Sequence, residues 1–237
     1  MTKSILILGG SSDIGADLTK RLLAKNFIIK AHYSNNDKYL KRINSKKLKL
    51  IKLNFEKLNS NNAERLIKNK FTFKYDIIIN LVGYVDQKSF ENTSLKTMYS
   101  SIKNNALIPF LIIQKTVKNM LKNNFGRIVN CSSIGVKFGG GKNSFNYSLS
   151  KHCLEFIPNA YKDWAKKNVL INNLRIGVTD TKIHSRMKKN KFIKKRTTHI
   201  PIGRLAKKSE ISFCIANLIN EDNSFMTNET ITVSGGE

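Results

Sequence analysis

The sequence predicts an α/β fold, with a doubly wound parallel sheet, helices on both of its faces, and a single domain spanning 1–237. Three observations predict it. Short apolar runs alternate with amphipathic stretches along the whole chain. A glycine-rich turn lies between the first strand and the first helix, and neither a repeat nor a low-complexity linker divides the chain.

Seven segments have the composition of strands. The first, Ser4–Leu8, is a short, continuous apolar run, which is typical of a parallel strand buried on both faces. The predicted strands are Ser4–Leu8, Phe27–Ala31, Leu48–Leu53, Asp76–Val82, Arg127–Cys131, Val169–Ile176 and Thr230–Val233.

Helices are predicted where apolar residues recur at helical spacing, as Ile14, Leu18 and Leu22 do. The predicted helices are Ile14–Lys25, Asn59–Asn69, Leu95–Lys122, Tyr147–Lys166 and Ser209–Ile219. Pro109 and Pro158 lie inside two of them and predict a kink or a break. The segment Lys182–Pro201 lacks periodicity, which in a compact domain indicates a functional lid or a disordered stretch.

The formal net charge of +26 is compatible with nucleic acid, an anionic membrane surface or acidic substrates as partners. The lysines are spread along the chain, however, and the densest stretch is only Lys188 to Arg196. This favours a solvated basic surface that helps to attract anionic cofactors or substrates. No helix-turn-helix, zinc-finger or RNA-binding aromatic signature occurs, so no specific nucleic-acid partner is expected.

The three cysteines, Cys131, Cys153 and Cys214, are isolated and lack the spacing of metal ligands, so no metal site is predicted. Such sparse cysteines are typical of a reducing compartment. No apolar stretch reaches the ~20 residues that span a membrane, and Ser4–Leu8 is too short for the core of a signal peptide. We therefore expect a cytoplasmic protein without a membrane partner.

The glycine-rich turn reads Gly9-Gly10-Ser11-Ser12-Asp13-Ile14-Gly15. Small residues let the backbone approach a pyrophosphate, and the N-terminus of the following helix offers free N–H groups and a positive dipole end. The turn therefore predicts the dinucleotide site of a Rossmann fold, against the alternative of a plain tight turn. Asp13 is expected to cap the helix.

The end of the second strand indicates which dinucleotide binds. Sites that prefer NAD usually have an acidic residue there, which holds the ribose hydroxyls. Here no acid occurs before Asp37, and Ser34, Asn35 or Lys38 could reach a 2′-phosphate. NADP(H) is therefore the favoured cofactor, and NAD(H) stays open.

Tyr147 and Lys151 are spaced to lie one turn apart on one helix face. A nearby ammonium group lowers the pKa of a phenol, so the pair can act as a tuned general acid or base. Ser132 and Ser133 follow a strand, where a hydroxyl could stabilise charge on a substrate oxygen. An ordinary exposed Tyr–Lys pair is the alternative, and the accompanying glycine turn argues against it.

These features together resemble the short-chain dehydrogenases/reductases, nearly from end to end. Asn80-Leu81-Val82-Gly83 is similar to the family's Asn-Asn-Ala-Gly segment, and Gly177-Val178-Thr179-Asp180-Thr181 resembles its nicotinamide-binding segment. Asn105, Ser133, Tyr147 and Lys151 match the family's catalytic residues. The cofactor contacts that the resemblance implies are Gly9, Ser11, Ser12, Ile14, Gly15, Ser34, Asn35, Asn54, Phe55, Asn80, Gly83, Tyr147, Lys151, Gly177, Thr179 and Thr181.

The resemblance implies hydride transfer between a nicotinamide and a carbonyl or secondary alcohol. Tyr147 would exchange the proton of the substrate oxygen, and Ser133 would hydrogen-bond that oxygen. Lys151 would hold the nicotinamide ribose and lower the pKa of Tyr147, and Asn105 would hold a water that links Lys151 to solvent. Ile176 stands where the family usually has proline, and Asn54 where an aspartate commonly faces the adenine.

The substrate class is left open between two kinds of carbonyl compound. Arg127 and Lys167 match basic residues with which beta-ketoacyl carrier-protein reductases meet an acidic carrier protein, which favours a carrier-bound 3-ketoacyl thioester. A small sugar or nucleotide-sugar intermediate fits the basic lid, predicted at 182–201, equally well. A non-enzymatic regulatory module that binds NADP is a further alternative. The resemblance also implies a homo-oligomer, a tetramer or dimer, paired through Leu95–Lys122 and Tyr147–Lys166.

Overall fold

The computed structural model describes residues 2–181 and 196–237. Within them, seven parallel strands form one sheet in the order β3-β2-β1-β4-β5-β6-β7. The strands are β1 (Ser4–Leu8), β2 (Ile28–Tyr33), β3 (Leu48–Lys52), β4 (Ile77–Asn80), β5 (Gly126–Ser133), β6 (Val169–Ile176) and β7 (Thr230–Val233). All seven predicted strands are present, but β2 and β5 each extend two residues further than predicted, to Tyr33 and Ser133, and β4 ends two residues earlier, at Asn80.

Helices cover both faces of the sheet, as predicted. The α-helices that lie wholly within the described residues are α1 (Asp13–Ala24), α2 (Ala63–Lys70), α3 (Leu95–Ile102), α4 (Ile108–Lys122), α5 (Phe145–Leu154), α6 (Tyr161–Ala165) and α7 (Lys208–Leu218). Helices α1 and α7 bury Leu18, Leu22 and Ile215 on one face. Helices α2 and α4 bury Ile67 and Ile112 on the other, so two apolar layers enclose the strands.

Both predicted helix interruptions occur, and each coincides with a proline. The stretch Leu95–Lys122 changes to a π-helix at Lys103–Leu107, and Pro109 lies in the first turn of α4. Because proline has no N–H group, Pro109 cannot donate the usual helical hydrogen bond to the carbonyl of residue 105. Pro158 lies between α5 and α6, which replace the single helix predicted over Tyr147–Lys166.

The first helix begins at a side-chain cap. The Ser12 hydroxyl accepts a hydrogen bond from the Gly15 N–H at 3.0 Å. Ser12 is therefore the N-cap, and the prediction that Asp13 caps the helix is wrong. Asp13 is instead the first helical residue, where its negative charge is favourable beside the helix dipole.

The strand order places a crevice at one edge of the sheet. The chain runs outward from β1 to β2 and β3 on one side and to β4, β5 and β6 on the other. Ligands of open α/β sheets bind at the carboxyl ends of the strands where the order reverses, here between β1 and β4.

Most of the predicted lid, residues 182–195, lies outside the described residues. No helix in the described ranges is long and apolar enough to cross a bilayer.

Candidate active site

The residues predicted to form the site converge at the carboxyl edge of the sheet. The glycine turn follows β1, Ser34 and Asn35 follow β2, and Asn54 follows β3 closely. On the other side of the switch point, Asn80 ends β4 and Ser133 ends β5. The parallel strands therefore bring residues from five connections to one crevice.

The glycine turn packs directly against the chain leaving β4. Gly9 has a φ of +74°, and a Cβ at this position would lie 2.7 Å from the Leu81 carbonyl oxygen. A Cβ on Gly15 would lie 2.6 Å from the Gly10 carbonyl oxygen. Both positions therefore require glycine, and the α1 N-terminus is left open to an anionic ligand.

The side chains after β2 and β3 contact each other. The Asn54 amide donates to the Asn35 side-chain oxygen at 3.3 Å, and its own oxygen accepts the Glu56 N–H at 2.9 Å. Asp37 forms an ion pair with Lys41 at 3.3 Å and a hydrogen bond with the Tyr33 phenol. The acid nearest to the end of β2 is thus already paired within the protein.

Lys151 joins the ends of two central strands. Its side chain is buried, and its Nζ donates to the Cys131 carbonyl at 2.6 Å and to the Val82 carbonyl at 2.8 Å. Burial lowers the pKa of the Lys151 amine to about 8, although the charge of Glu155 opposes this shift. These contacts fix the ammonium group between β4 and β5.

The Tyr147 phenol lies in the same pocket and hydrogen-bonds the Ser133 hydroxyl. Burial raises the pKa of Tyr147 to about 12, and the hydrogen bond with Ser133 only partly offsets this. The Lys151 Nζ lies 5.8 Å from the centroid of the Tyr147 ring. The net pKa shift of Tyr147 is therefore upward rather than downward, because burial outweighs the neighbouring ammonium group and keeps the phenol protonated at neutral pH.

Asn105 lies in the π-helix and is fully buried. Its amide donates to the Tyr84 carbonyl and the Ser150 hydroxyl, both at 2.8 Å, while its oxygen accepts the Tyr84 N–H at 2.7 Å. The Ser150 hydroxyl donates in turn to the Tyr147 carbonyl at 2.7 Å. Ser150, which the sequence analysis missed, thus links Asn105 to the helix that carries Tyr147.

The remaining predicted contacts follow the carboxyl ends of β1, β3, β4 and β6. The Asn80 oxygen accepts the Val82 N–H at 3.1 Å, and Gly83 is exposed just beyond. A Cβ on Gly177 would lie 2.6 Å from the Ser234 Cα, so the C-terminal segment requires glycine there. Thr179 is buried, and its hydroxyl donates to the Gly177 carbonyl at 3.0 Å. The others are Ser11, Ile14 and Thr181, which are half-buried, and Phe55, which is buried.

His32 is a second residue that the sequence analysis missed. It lies within β2, only 3% exposed, and its two ring nitrogens contact the glycine turn and the chain after β3. The available signal was a lone histidine between Ala31 and Tyr33, directly after the predicted strand Phe27–Ala31, a position where a polar ring needs buried partners if the strand continues.

Arg127 does not lie where a carrier protein could reach it. It is 1% exposed at the amino end of β5, the edge of the sheet opposite the crevice. Its guanidinium donates to the carbonyls of Gly126 and Asn168, both at 2.9 Å. Lys167, by contrast, is exposed.

Within residues 2–181 and 196–237, no group of His, Cys, Asp and Glu is arranged to hold a metal ion.

Comparison with known proteins agrees with this geometry. A family profile described as Enoyl-(Acyl carrier protein) reductase matches residues 11–237. The 3-oxoacyl-[acyl-carrier-protein] reductase FabG of Aquifex aeolicus is 33% identical over 68% of the chain, and the acetoacetyl-CoA reductase of Acinetobacter sp. is 30% identical over 69%. The matched region spans 64% and 65% of these two relatives, just under two thirds of their lengths.

Among solved structures, YwfH, titled an NADPH dependent reductase involved in bacilysin biosynthesis, has the same fold. The two structures superpose with a TM-score of 0.85 at 20% sequence identity, and the alignment covers 100% of this chain and 98% of YwfH.

Proposed function

The chain belongs to the short-chain dehydrogenase/reductase family, and we propose that it is an NADPH-dependent reductase that converts a carbonyl group to a secondary alcohol. One observation carries this proposal. A buried phenol, a buried ammonium group and a serine hydroxyl meet at the carboxyl ends of β4 and β5, next to the glycine turn, which packs closely because Gly9 and Gly15 lack Cβ atoms. This arrangement holds a proton donor and a dinucleotide cradle in one crevice.

The residues of the turn fit a dinucleotide. Gly9 and Gly15 let the turn pack closely against the backbone of Leu81 and Gly10, and free N–H groups at the start of α1 would hydrogen-bond the pyrophosphate. On the substrate side, Lys151 would hold the nicotinamide ribose, and Gly177 and Thr179 would hold the carboxamide end. When bound, the nicotinamide supplies the hydride.

The adenosine end favours the phosphorylated cofactor. The Asp37 carboxylate is paired with Lys41 and hydrogen-bonded by Tyr33, so it is not free to bind ribose hydroxyls. Ser34, Asn35 and Lys38 surround the same strand end and offer a hydroxyl, an amide and a positive charge to a 2′-phosphate. This supports NADPH rather than NADH.

Proton transfer belongs to Tyr147. Because burial raises the pKa of its phenol to about 12, Tyr147 carries a proton at neutral pH and can donate it to the carbonyl oxygen as that oxygen becomes negative. Lys151 is protonated below about pH 8, and its charge stabilises the phenolate that remains. Ser133 donates a hydrogen bond to the same substrate oxygen. The protonated phenol favours reduction as the working direction.

Asn105 has a supporting role through its backbone. Pro109 offers no N–H to the Asn105 carbonyl, and the side chain of Asn105 is held by Tyr84 and Ser150. The backbone carbonyl of Asn105 can therefore accept a hydrogen bond from a water molecule, and this water would return a proton toward Lys151.

For the substrate, we propose a 3-ketoacyl thioester. Both relatives named above are, by their names, reductases of such thioesters. Since Arg127 is buried, any acidic carrier would have to bind elsewhere on the basic surface, for example at Lys167.

We further propose a cytoplasmic homo-oligomer. The three cysteines are unpaired, as expected in a reducing compartment. Large apolar side chains are exposed within the two segments expected to pair, Leu95–Lys122 and Tyr147–Lys166: Leu95, Tyr99, Leu107 and Phe156. Light scattering should give a dimer or tetramer for the purified chain and a smaller species for Leu95→Glu, and a monomeric native chain would contradict this.

The function is tested by titrating the protein with NADPH and with NADH, followed by nicotinamide fluorescence, and then by adding acetoacetyl-CoA. We expect saturable binding that favours NADPH, and consumption of NADPH only when the thioester is present. Tighter binding of NADH would overturn the cofactor assignment. Failure to bind either would contradict the oxidoreductase proposal, and binding without activity on 3-ketoacyl thioesters would contradict the substrate.

A further inference from the structure

His32 connects two segments of the proposed cofactor site that are distant in sequence. The His32 ring lies near the carboxyl end of β2, and its Nδ1 is 3.2 Å from the Gly9 N–H nitrogen of the glycine turn. Its Nε2 lies 2.7 Å from the Leu53 carbonyl oxygen, at the end of β3. The backbone carbonyl of His32 also accepts the Gly10 N–H at 2.8 Å. One residue therefore contacts the turn twice and the β3 end once.

The partners determine the protonation state of the ring. The Leu53 carbonyl can only accept a hydrogen bond, so Nε2 must carry a hydrogen. The Gly9 N–H can only donate, so Nδ1 must carry a lone pair. The ring is therefore neutral and in a single tautomer, and burial, which lowers the pKa of His32 to about 4, agrees with this. The Phe55 ring stacks on it with centroids 4.4 Å apart.

The segment that His32 holds carries the expected adenine contact. Asn54 directly follows Leu53, and the far end of its loop is fixed by the buried Lys103, whose Nζ donates to the carbonyls of Glu56 at 3.1 Å and Leu58 at 2.7 Å. The loop is thus anchored on both sides of Asn54, by His32 at its start and by Lys103 at its end.

We propose that His32 is a positioning residue for the adenosine half of the cofactor, because its neutral ring sets the distance between the glycine turn and the Asn54 loop. This inference rests on the proposed function. The pyrophosphate and the adenine are joined covalently, so the two segments that contact them must be correctly spaced before binding. Loss of the ring should therefore weaken dinucleotide binding much more than it slows the chemical step.

Three substitutions separate the two hydrogen bonds. His32→Asn places an amide oxygen near the position of Nδ1, which keeps an acceptor for Gly9. His32→Gln places an amide NH₂ near the position of Nε2, which keeps a donor to Leu53. His32→Leu removes both. A matched control is Arg127→Met, which disturbs a buried basic side chain at the opposite edge of the sheet.

The measurements are the Kd for NADPH and for adenosine 2′,5′-bisphosphate, the KM for NADPH, kcat, and the melting temperature. We expect His32→Leu to raise both Kd values and the KM at least about tenfold, with a much smaller fall in kcat. His32→Asn and His32→Gln should each recover part of the affinity, and they keep the test valid if His32→Leu does not fold. Arg127→Met should lower the melting temperature and leave both Kd values within about twofold.

The proposal is overturned if all three His32 variants lower the melting temperature but bind both ligands as the native chain does. His32 would then be an ordinary buried core residue. Failure of the native chain itself to bind NADPH is a distinct result, because it would contradict the proposed function and this inference together.

Discussion

Raising the pH from about 7 to about 10 removes the proton from Lys151, and we expect carbonyl reduction to fail with it. Burial lowers the pKa of this amine from 10.5 to about 8, a difference that corresponds to about 3 kcal/mol against the charged form. Above about pH 8 the charged fraction falls about tenfold for each further pH unit. The value of kcat/KM at about pH 10 should therefore be about a hundredth of its plateau.

The assay follows NADPH consumption with acetoacetyl-CoA across this pH range, and the fluorescence of Trp164 confirms that the chain stays folded. The quantity measured is kcat/KM, because it reports the pKa of the free enzyme. Lys151→Arg is the matched variant, since a guanidinium stays charged throughout. Its plateau should be lower, but its profile should not decline below about pH 10. A native profile that is flat to about pH 10, or a decline that Lys151→Arg shares, would refute the role assigned to Lys151.

Three further perturbations test other parts of the structure. Gly9→Ala places a Cβ 2.7 Å from the Leu81 carbonyl oxygen at a φ of +74°, so affinity for NADPH should fall at least about tenfold in a fluorescence titration, and unchanged affinity would contradict the cradle. Arg175→Met leaves the buried Glu155 carboxylate without its partner and should lower the free energy of unfolding by about 3–5 kcal/mol in urea, with partial recovery when Glu155→Gln is added. Acid should destabilise the fold through His32, because its folded pKa of about 4 lies below the ordinary histidine value of 6.5, so the unfolded chain takes up the proton first. Stability should fall by up to about 3 kcal/mol between about pH 6.5 and about pH 4, and His32→Gln should flatten this slope.

The fold could be predicted from the sequence because local pattern and global topology agree. Buried parallel strands such as Ser4–Leu8 are continuous apolar runs, and the prolines at 109 and 158 mark real interruptions. The form of the first interruption could not be predicted, since a proline indicates where a helix is disturbed but not that the disturbance is a π-helix around Asn105.

The site was predicted where residue type and spacing carry the chemistry, as in the glycine turn and the pair Tyr147 and Lys151. It was missed where function depends on buried contacts between distant segments. His32 and Ser150 act through partners that no local pattern reveals. The direction of the Tyr147 pKa was wrong for the same reason, because burial depends on the whole fold and outweighs the neighbouring lysine.

The position of Arg127 shows the limit of transferring a role by sequence match. The residue is present where carrier-protein reductases have a basic side chain, yet here its guanidinium binds backbone carbonyls at the buried amino end of β5. Residue identity alone does not report exposure, so a docking role has to be tested on the exposed lysines instead.

The most direct test of the central claim is a single-turnover measurement on the native chain and Tyr147→Phe, with NADPH deuterated at the transferred position and acetoacetyl-CoA as the acceptor. We predict that deuterium appears at C3 of the native product. Tyr147→Phe should bind NADPH within about threefold of the native chain but transfer deuterium about a thousandfold more slowly, because the protonating phenol is lost. Near-native transfer by Tyr147→Phe would contradict the claim that this phenol protonates the carbonyl.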